Sequence, residues 1–291
     1  MKNIIVPVDF SIHSENALKA AVRIAKQHQA TVTIVHMISF QEVNLSKEKK
    51  SEEGRYFIEL TQKRFDKFLD KDYLKEVTVQ TVVQNYKVFS ELNQVAKEHR
   101  GDLIVMCSHK SNGIQNVFID SNTKKVVRTS NIPVLVIKGE KKFTPHKGVF
   151  ACDFKLESKE IFIKAIQLFK KLKIEVSLLY VNLPKRSFQS TNQIYDQITK
   201  FSDTLADAYK FSPAEVTIFS DFSVESGVFH FAEKQQADII GIHTHGRKGI
   251  SHVLSGSIGE AMVNHSSLPI ITFKMPITQS LLLNYRGLYH L

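Results

Sequence analysis

The sequence predicts two repeated α/β domains, each a five-stranded parallel sheet with helices on both faces. Three observations lead there. First, "IIVPVDFS" (4–11) matches "GVFACDFK" (148–155) and "VTIVHMI" (32–38) matches "VSLLYVN" (176–182), both at an offset of 144 residues. Second, "LIVMCSHKSNGIQNVFIDSNTKKVVRTSNIPVLVIK" (103–138) shares one plan with "IGIHTHGRKGISHVLSGSIGEAMVNHSSLPIITFK" (240–274), aligning His109 with His245, Ser121 with Ser257 and Pro133 with Pro269 at an offset of 136. An offset that holds within each region and shifts by eight between them describes a duplicated domain with one loop shortened. Third, each half alternates between strand and helix periodicity, the pattern of a parallel sheet covered on both faces. At 291 residues the chain is long enough for two such domains. They are assigned to 1–142 and 143–276, with a tail at 277–291.

In the first half, apolar β-branched runs place strands at about 4–9, 31–38, 77–84, 102–107 and 134–138. Helical spacing between them is carried by Leu18, Ala21, Val22 and Ala25, then by Ile58, Phe65, Phe68 and Leu69, then by Leu92, Val95, Ala96 and His99. The second half repeats the order, with strands near 148–153, 174–181, 215–220, 238–243 and 270–274. Its helices carry Ile161, Ala165, Ile166, Leu168 and Phe169, then Ile194, Ile198, Phe201 and Leu205, then Val224, Val228, Phe231 and Ala232. A further helix is predicted from Ser257 to about His265. In such folds ligands bind beyond the carboxyl ends of the strands, where strand order reverses. Asp9, Asp153 and both His-containing segments fall at those ends.

Composition narrows the class. Hydrophobic residues make up 43% and charged residues 23%, as in globular domains. The two cysteines, Cys107 and Cys152, form no disulfide framework. The amino terminus turns polar within nine residues and no apolar run approaches the ~20 that span a bilayer. A cytoplasmic protein without membrane contact is expected. The net charge of +10 is spread out, 23 Lys/Arg against 16 Asp/Glu in residues 1–142 and 16 against 13 in the remainder. Without interleaved aromatics this reads as a solvated basic surface, not a nucleic-acid face.

At the second domain's strand end, Gly246, Gly249 and Gly256 allow close backbone approach to an anion. The helix starting at Ser257 adds free N–H groups and the positive end of its dipole. Ser257 with Glu260 also forms an S-x-x-E capping box, a purely structural reason for that serine. Together with Asp153 these residues resemble the universal stress protein family, whose nucleotide-binding members carry Gly-x-x-Gly, nine residues, then Gly-Ser or Gly-Thr. Here the run is His243-Thr244-His245-Gly246, nine residues, then Gly256-Ser257. The first glycine is replaced by His243. "Val-Asp-Phe-Ser" at 8–11 also resembles the family's amino-terminal signature.

The resemblance implies a Rossmann-like fold of the adenine nucleotide alpha hydrolase-like type and a stress-response, ATP-binding role. Ala151, Asp153 and Val181 would meet adenine and ribose, with His243 beside the ribose. Gly246, Gly256, Ser257 and the N–H of Ile258 would meet phosphates, with Mg²⁺ accompanying a triphosphate. In the first domain the matching positions hold Cys107, Lys110, Asp120 and Ser121. A carboxylate at Asp120 competes for the helix N–H groups, and at ~4 Å its repulsion of a phosphate is about 4 kcal/mol, roughly a thousandfold in affinity. One nucleotide per chain, in the second domain, is therefore expected.

Three readings stand: a nucleotide-binding regulator, a slow phosphoryl-transfer enzyme using the same cleft, and a nucleotide-free binding scaffold. No nucleophile–base pair, G-x-S-x-G, Walker or G-x-G-x-x-G motif supports turnover. His243, His245 and His252 lack a carboxylate or cysteine at useful local spacing, so no metal site is assigned. The apolar last strands "VLVIK" (134–138) and "IITFK" (270–274) would lie at sheet edges, predicting an internal pseudo-dimer of the two domains. The tail offers a route to a homodimer.

Overall fold

The structure, a computed structural model, describes residues 1–38, 52–85, 91–108, 121–244 and 257–274. Contacts divide the chain into a first unit, Met1–Val126 with Ile132–Phe143, and a second, Val127–Asn131 with Thr144 onward.

The first half begins with β1 (Asn3–Val8), whose six residues are all buried, as a strand covered on both faces requires. Ser11 then caps α1 (Ile12–His28) by accepting the N–H of Ser14. There follow β2 (Thr31–Ile38), α2 (Glu52–Leu69), β3 (Val79–Asn85), α3 (Leu92–Glu98), β4 (Leu103–Ser108), α4 (Ser121–Thr129) and β5 (Val134–Lys138). The strands run β3-β2-β1-β4-β5, and the pairings are parallel. Strand order reverses between β1 and β4.

The second half repeats this plan with β6 (Lys147–Ala151), α5 (Lys159–Lys171), β7 (Glu175–Asn182), α6 (Thr191–Asp203), β8 (Val216–Ser220), α7 (Val224–Lys234), β9 (Ile239–Thr244), α8 (Ser257–His265) and β10 (Ile270–Lys274). Its parallel order is β8-β7-β6-β9-β10, with the reversal between β6 and β9. β5 and β10 each end the order of their own unit.

The two cores share a plan but differ in chemistry. Ile4, Leu18, Ile34 and Leu92 dominate the first, whereas Phe150, Phe154, Phe162, Phe169 and Phe201 are fully buried in the second. Phe169 is accommodated by glycines in two central strands. A Cβ on Gly241 would lie 2.6 Å from its ring, and one on Gly148 would lie 3.2 Å away. The internal alignment puts Ala25, Val105 and Ile4 at the corresponding first-half positions. One half fills this space with aliphatic strand residues and the other with one helix-borne ring, conserving volume as a close-packed interior demands. Among the described residues, no helix is long and apolar enough to cross a membrane.

Candidate functional site

Each half turns sharply after its first strand. Phe10 and Phe154 adopt left-handed backbone, φ 64° and φ 49°, which for a bulky residue is strained by roughly 1–2 kcal/mol. Aromatic packing holds both in place. Phe154 is 1% exposed, with Phe201 at 5.6 Å and Phe211 at 5.7 Å between ring centroids. Phe10 packs on His36, Phe65 and Phe68. The turn brings a later N–H back onto the preceding aspartate: Ser11 N donates to Asp9 Oδ1 at 3.0 Å, and Lys155 N to Asp153 Oδ1 at 3.3 Å.

Asp153 is the more heavily dressed of the two. Ser158 Oγ donates to its Oδ1 at 2.6 Å, and His243 Nε2 lies 3.6 Å from the same oxygen. Lys155 Nζ stands 3.9 Å from Oδ2. Burial pushes the carboxyl up, but the His243 charge, Ser158 and the Lys155 N–H together outweigh it and hold the group below its ordinary value. Gln197 Nε2 on α6 donates to the Asp153 carbonyl at 2.6 Å, tying the loop to that helix. An open cavity of about 540 Å³ between this loop and α6 is lined in part by Gln197 and Phe154.

Asp9 sits in a simpler setting. Burial again pushes it up, and hydrogen bonds from Ser11 and Ser14 bring it below the ordinary value. The internal alignment matches Cys107 to His243. The Cys107 thiol faces the carbonyls of Ser108 and Gly139, at 3.6 and 3.7 Å. Burial pushes its pKa up to about 11.

Of the residues singled out in the second domain, Ala151 ends β6 in register with Ile242 of β9. Val181 is half-buried in β7, and Asp153 and His243 meet as described. These four lie at the carboxyl ends of the adjacent strands β7, β6 and β9. Ser257 and Ile258 open α8, while their side chains lie outside the described set. Gly246 and Gly256 lie outside the described residues, as do Lys110, Asp120 and the tail at 277–291. The first turn of α8 is pressed onto β9: a Cβ on Gly259 would stand 2.4 Å from Thr244 Cγ2. The amino end of α8 is thereby fixed at the same end of the sheet as Asp153.

Ser158 and Gln197 join the site without having been picked out for it. For Ser158 the signal existed, since the offset of 144 that aligns Asp9 with Asp153 also aligns Ser14 with Ser158. No comparable signal marks Gln197.

A parallel sheet repeated twice, with an aspartate after each first strand and a helix start across the strand-order reversal, defines a tandem Rossmann-like α/β protein. The universal stress protein family model matches residues 1–138 and again 146–274, so the chain belongs to that family. A universal stress protein of Methanocaldococcus jannaschii is 26% identical over 150 residues, covering 48% of this chain and 84% of that protein. One from Bacillus subtilis is 26% identical over 147 residues, covering 46% of this chain and 97% of its own length. The crystal structure of a universal stress protein from Archaeoglobus fulgidus superposes with a TM-score of 0.72 at 16% identity, covering 94% of this chain and 98% of that one. The last shows that the tandem fold is shared.

Proposed function

We propose that the chain is a stress-response regulator that binds one adenine nucleotide, ATP or a relative, in the second domain. The observation carrying this is the largely buried Asp153 carboxyl, held below its ordinary value at the reversal between β6 and β9, with the amino end of α8 fixed at the same end of the sheet. Ala151, Asp153, Val181 and His243 would line the adenine and ribose end. Gly246, Gly256, Ser257 and the Ile258 N–H would receive the phosphates, and Mg²⁺ would come with a triphosphate, held mainly by its oxygens. The first domain keeps a degenerate copy, because Lys110 and Asp120 stand where the second has glycines. The proposal extends to pairing of the two domains through their last strands, and residues 1–142 alone staying strictly monomeric with an ordered, solvent-exposed β5 in hydrogen exchange would refute that part.

The test is a calorimetric ATP titration of the wild type, Gly256→Asp and Asp120→Gly, with the co-purifying nucleotide identified by mass spectrometry. One site per chain is expected, weakened roughly a thousandfold by Gly256→Asp and unchanged by Asp120→Gly. Two sites per chain, or binding that survives Gly256→Asp, refutes it. The second reading, a nucleotide-free scaffold, is favoured by the His243–Asp153 pair, which already occupies the carboxylate. No ATP binding by any of the three proteins would support that reading.

A further inference from the structure

No cysteine or carboxylate lies at useful ligand spacing from His243 in its own stretch of sequence, yet the fold supplies one of each from the other side of the reversal. Cys152 and Asp153 follow β6, and His243 lies in β9, which pairs with β6 from Gly148 to Ala151. One ligand atom from each of Cys152, Asp153 and His243 lies within 4.8 Å of the other two. Two further features dress this cluster as a ligand set. The Phe154 N–H donates to Cys152 Sγ at 3.3 Å, the outer hydrogen bond that supports a thiolate ligand. Asp153 Oδ2 is buried and accepts no hydrogen bond, while Ser158 fixes the other oxygen from outside the cluster.

We propose that Cys152, Asp153 and His243 form a binding site for a borderline-soft divalent cation, with zinc the best match. A thiolate, an imidazole and a carboxylate together favour zinc over the hard cations magnesium and calcium. Tetrahedral zinc holds such ligand atoms about 3.3–3.5 Å apart, and the three here already lie within 4.8 Å of one another. Reaching that geometry needs no separation to close by more than about 1.5 Å. Three protein ligands leave the fourth position to water or a bound molecule. On binding, the Cys152 S–H bond breaks, an S–Zn bond forms and the proton leaves to solvent.

The site shares Asp153 and His243 with the proposed nucleotide cleft but does not depend on that reading. Its test uses the reduced, chelator-treated full chain and Co²⁺ alone as the probe. One Co²⁺ per chain should bind with a near-ultraviolet thiolate-to-cobalt charge-transfer band, and Zn²⁺ should bleach it. The chain has only two cysteines, so the source of the band can be assigned. Cys152→Ser should abolish it, Cys107→Ser should leave it intact, and His243→Ala should weaken Co²⁺ binding tenfold or more. Circular dichroism of each variant checks folding, and the wild-type titration stands without them. No band in the wild type, a band that survives Cys152→Ser, or one lost with Cys107→Ser overturns the proposal. Because no nucleotide is present, a missing band leaves the ATP proposal standing. A band without ATP binding does the reverse.

Discussion

His243 Nε2 lies 3.6 Å from Asp153 Oδ1, with only 9% of the imidazole side chain exposed. The family's motif has a glycine at this position, and here a ring leans on the carboxylate that an adenine nucleotide would use. In the proposed complex the nucleotide would have to turn that ring aside. His243→Gly should therefore tighten ATP binding about tenfold or more, on the order of 1.4 kcal/mol, in a calorimetric titration. Weaker binding in the variant would mean that the imidazole helps hold the nucleotide.

The contact between α8 and β9 leaves no room for a methyl group. Gly259→Ala would bring its Cβ to 2.4 Å from Thr244 Cγ2, the stiff γ-methyl of a β-branched residue. Overpacking of about 1–3 kcal/mol should exceed the roughly 1 kcal/mol that alanine gains in a helix. The first half has Ser108 and Thr123 at the matching places, so the γ-methyl sits on the helix there instead of the strand. Thr244→Ser should restore most of the lost stability. Urea midpoints of the two single variants and the double variant check this.

The Phe169 exchange predicts strong coupling. Gly241→Val, the residue found at Val105, puts its Cβ 2.6 Å from the Phe169 ring. Phe169→Ala alone should cost about 3–5 kcal/mol through the cavity it leaves. Combined, the two changes should be at least about 1 kcal/mol less destabilising than their sum. Strict additivity in chemical denaturation would contradict the volume exchange.

Acid stability has a traceable contributor in Asp238. Burial pushes this carboxyl up, but the N–H groups of Lys147 and His146, donating at 2.9 and 2.8 Å, hold it below the ordinary 3.8. Its contribution is fully present above the unfolded pKa and is lost as pH falls through the lower folded one. Asp238→Asn should lower stability at pH 7 by about 1 kcal/mol, the carboxylate being largely wet. The variant should lose less than the wild type between neutral pH and about pH 3. Parallel melting curves across that range would contradict this.

The duplication made most of the fold legible. The apolar runs locate the strands to within about two residues, and α8 begins at the serine read as its start. What escaped had physical reasons. Phe10 and Phe154 carry no glycine or asparagine signal for a left-handed turn, because tertiary packing imposes that conformation. Cys152 and His243 stand far apart in sequence and meet only because β6 and β9 are neighbours in the sheet. A search for local ligand spacing cannot see such a meeting. The Gly241 and Gly148 positions make sense only once Phe169 is seen above them.

The left-handed turn at Phe154 separates two ways in which the second domain can fail. Its backbone is strained and its ring is the restraint, so the direction of Asp153 depends on side-chain packing several ångströms from the carboxylate. If heat or a denaturant loosens that aromatic cluster, residue 154 is free to return to an ordinary conformation, and the carboxylate swings with it. No strand pairing need break for this to happen. Loss of the binding geometry would then precede loss of the sheet, and the domain would register a disturbance of its interior before it unfolds.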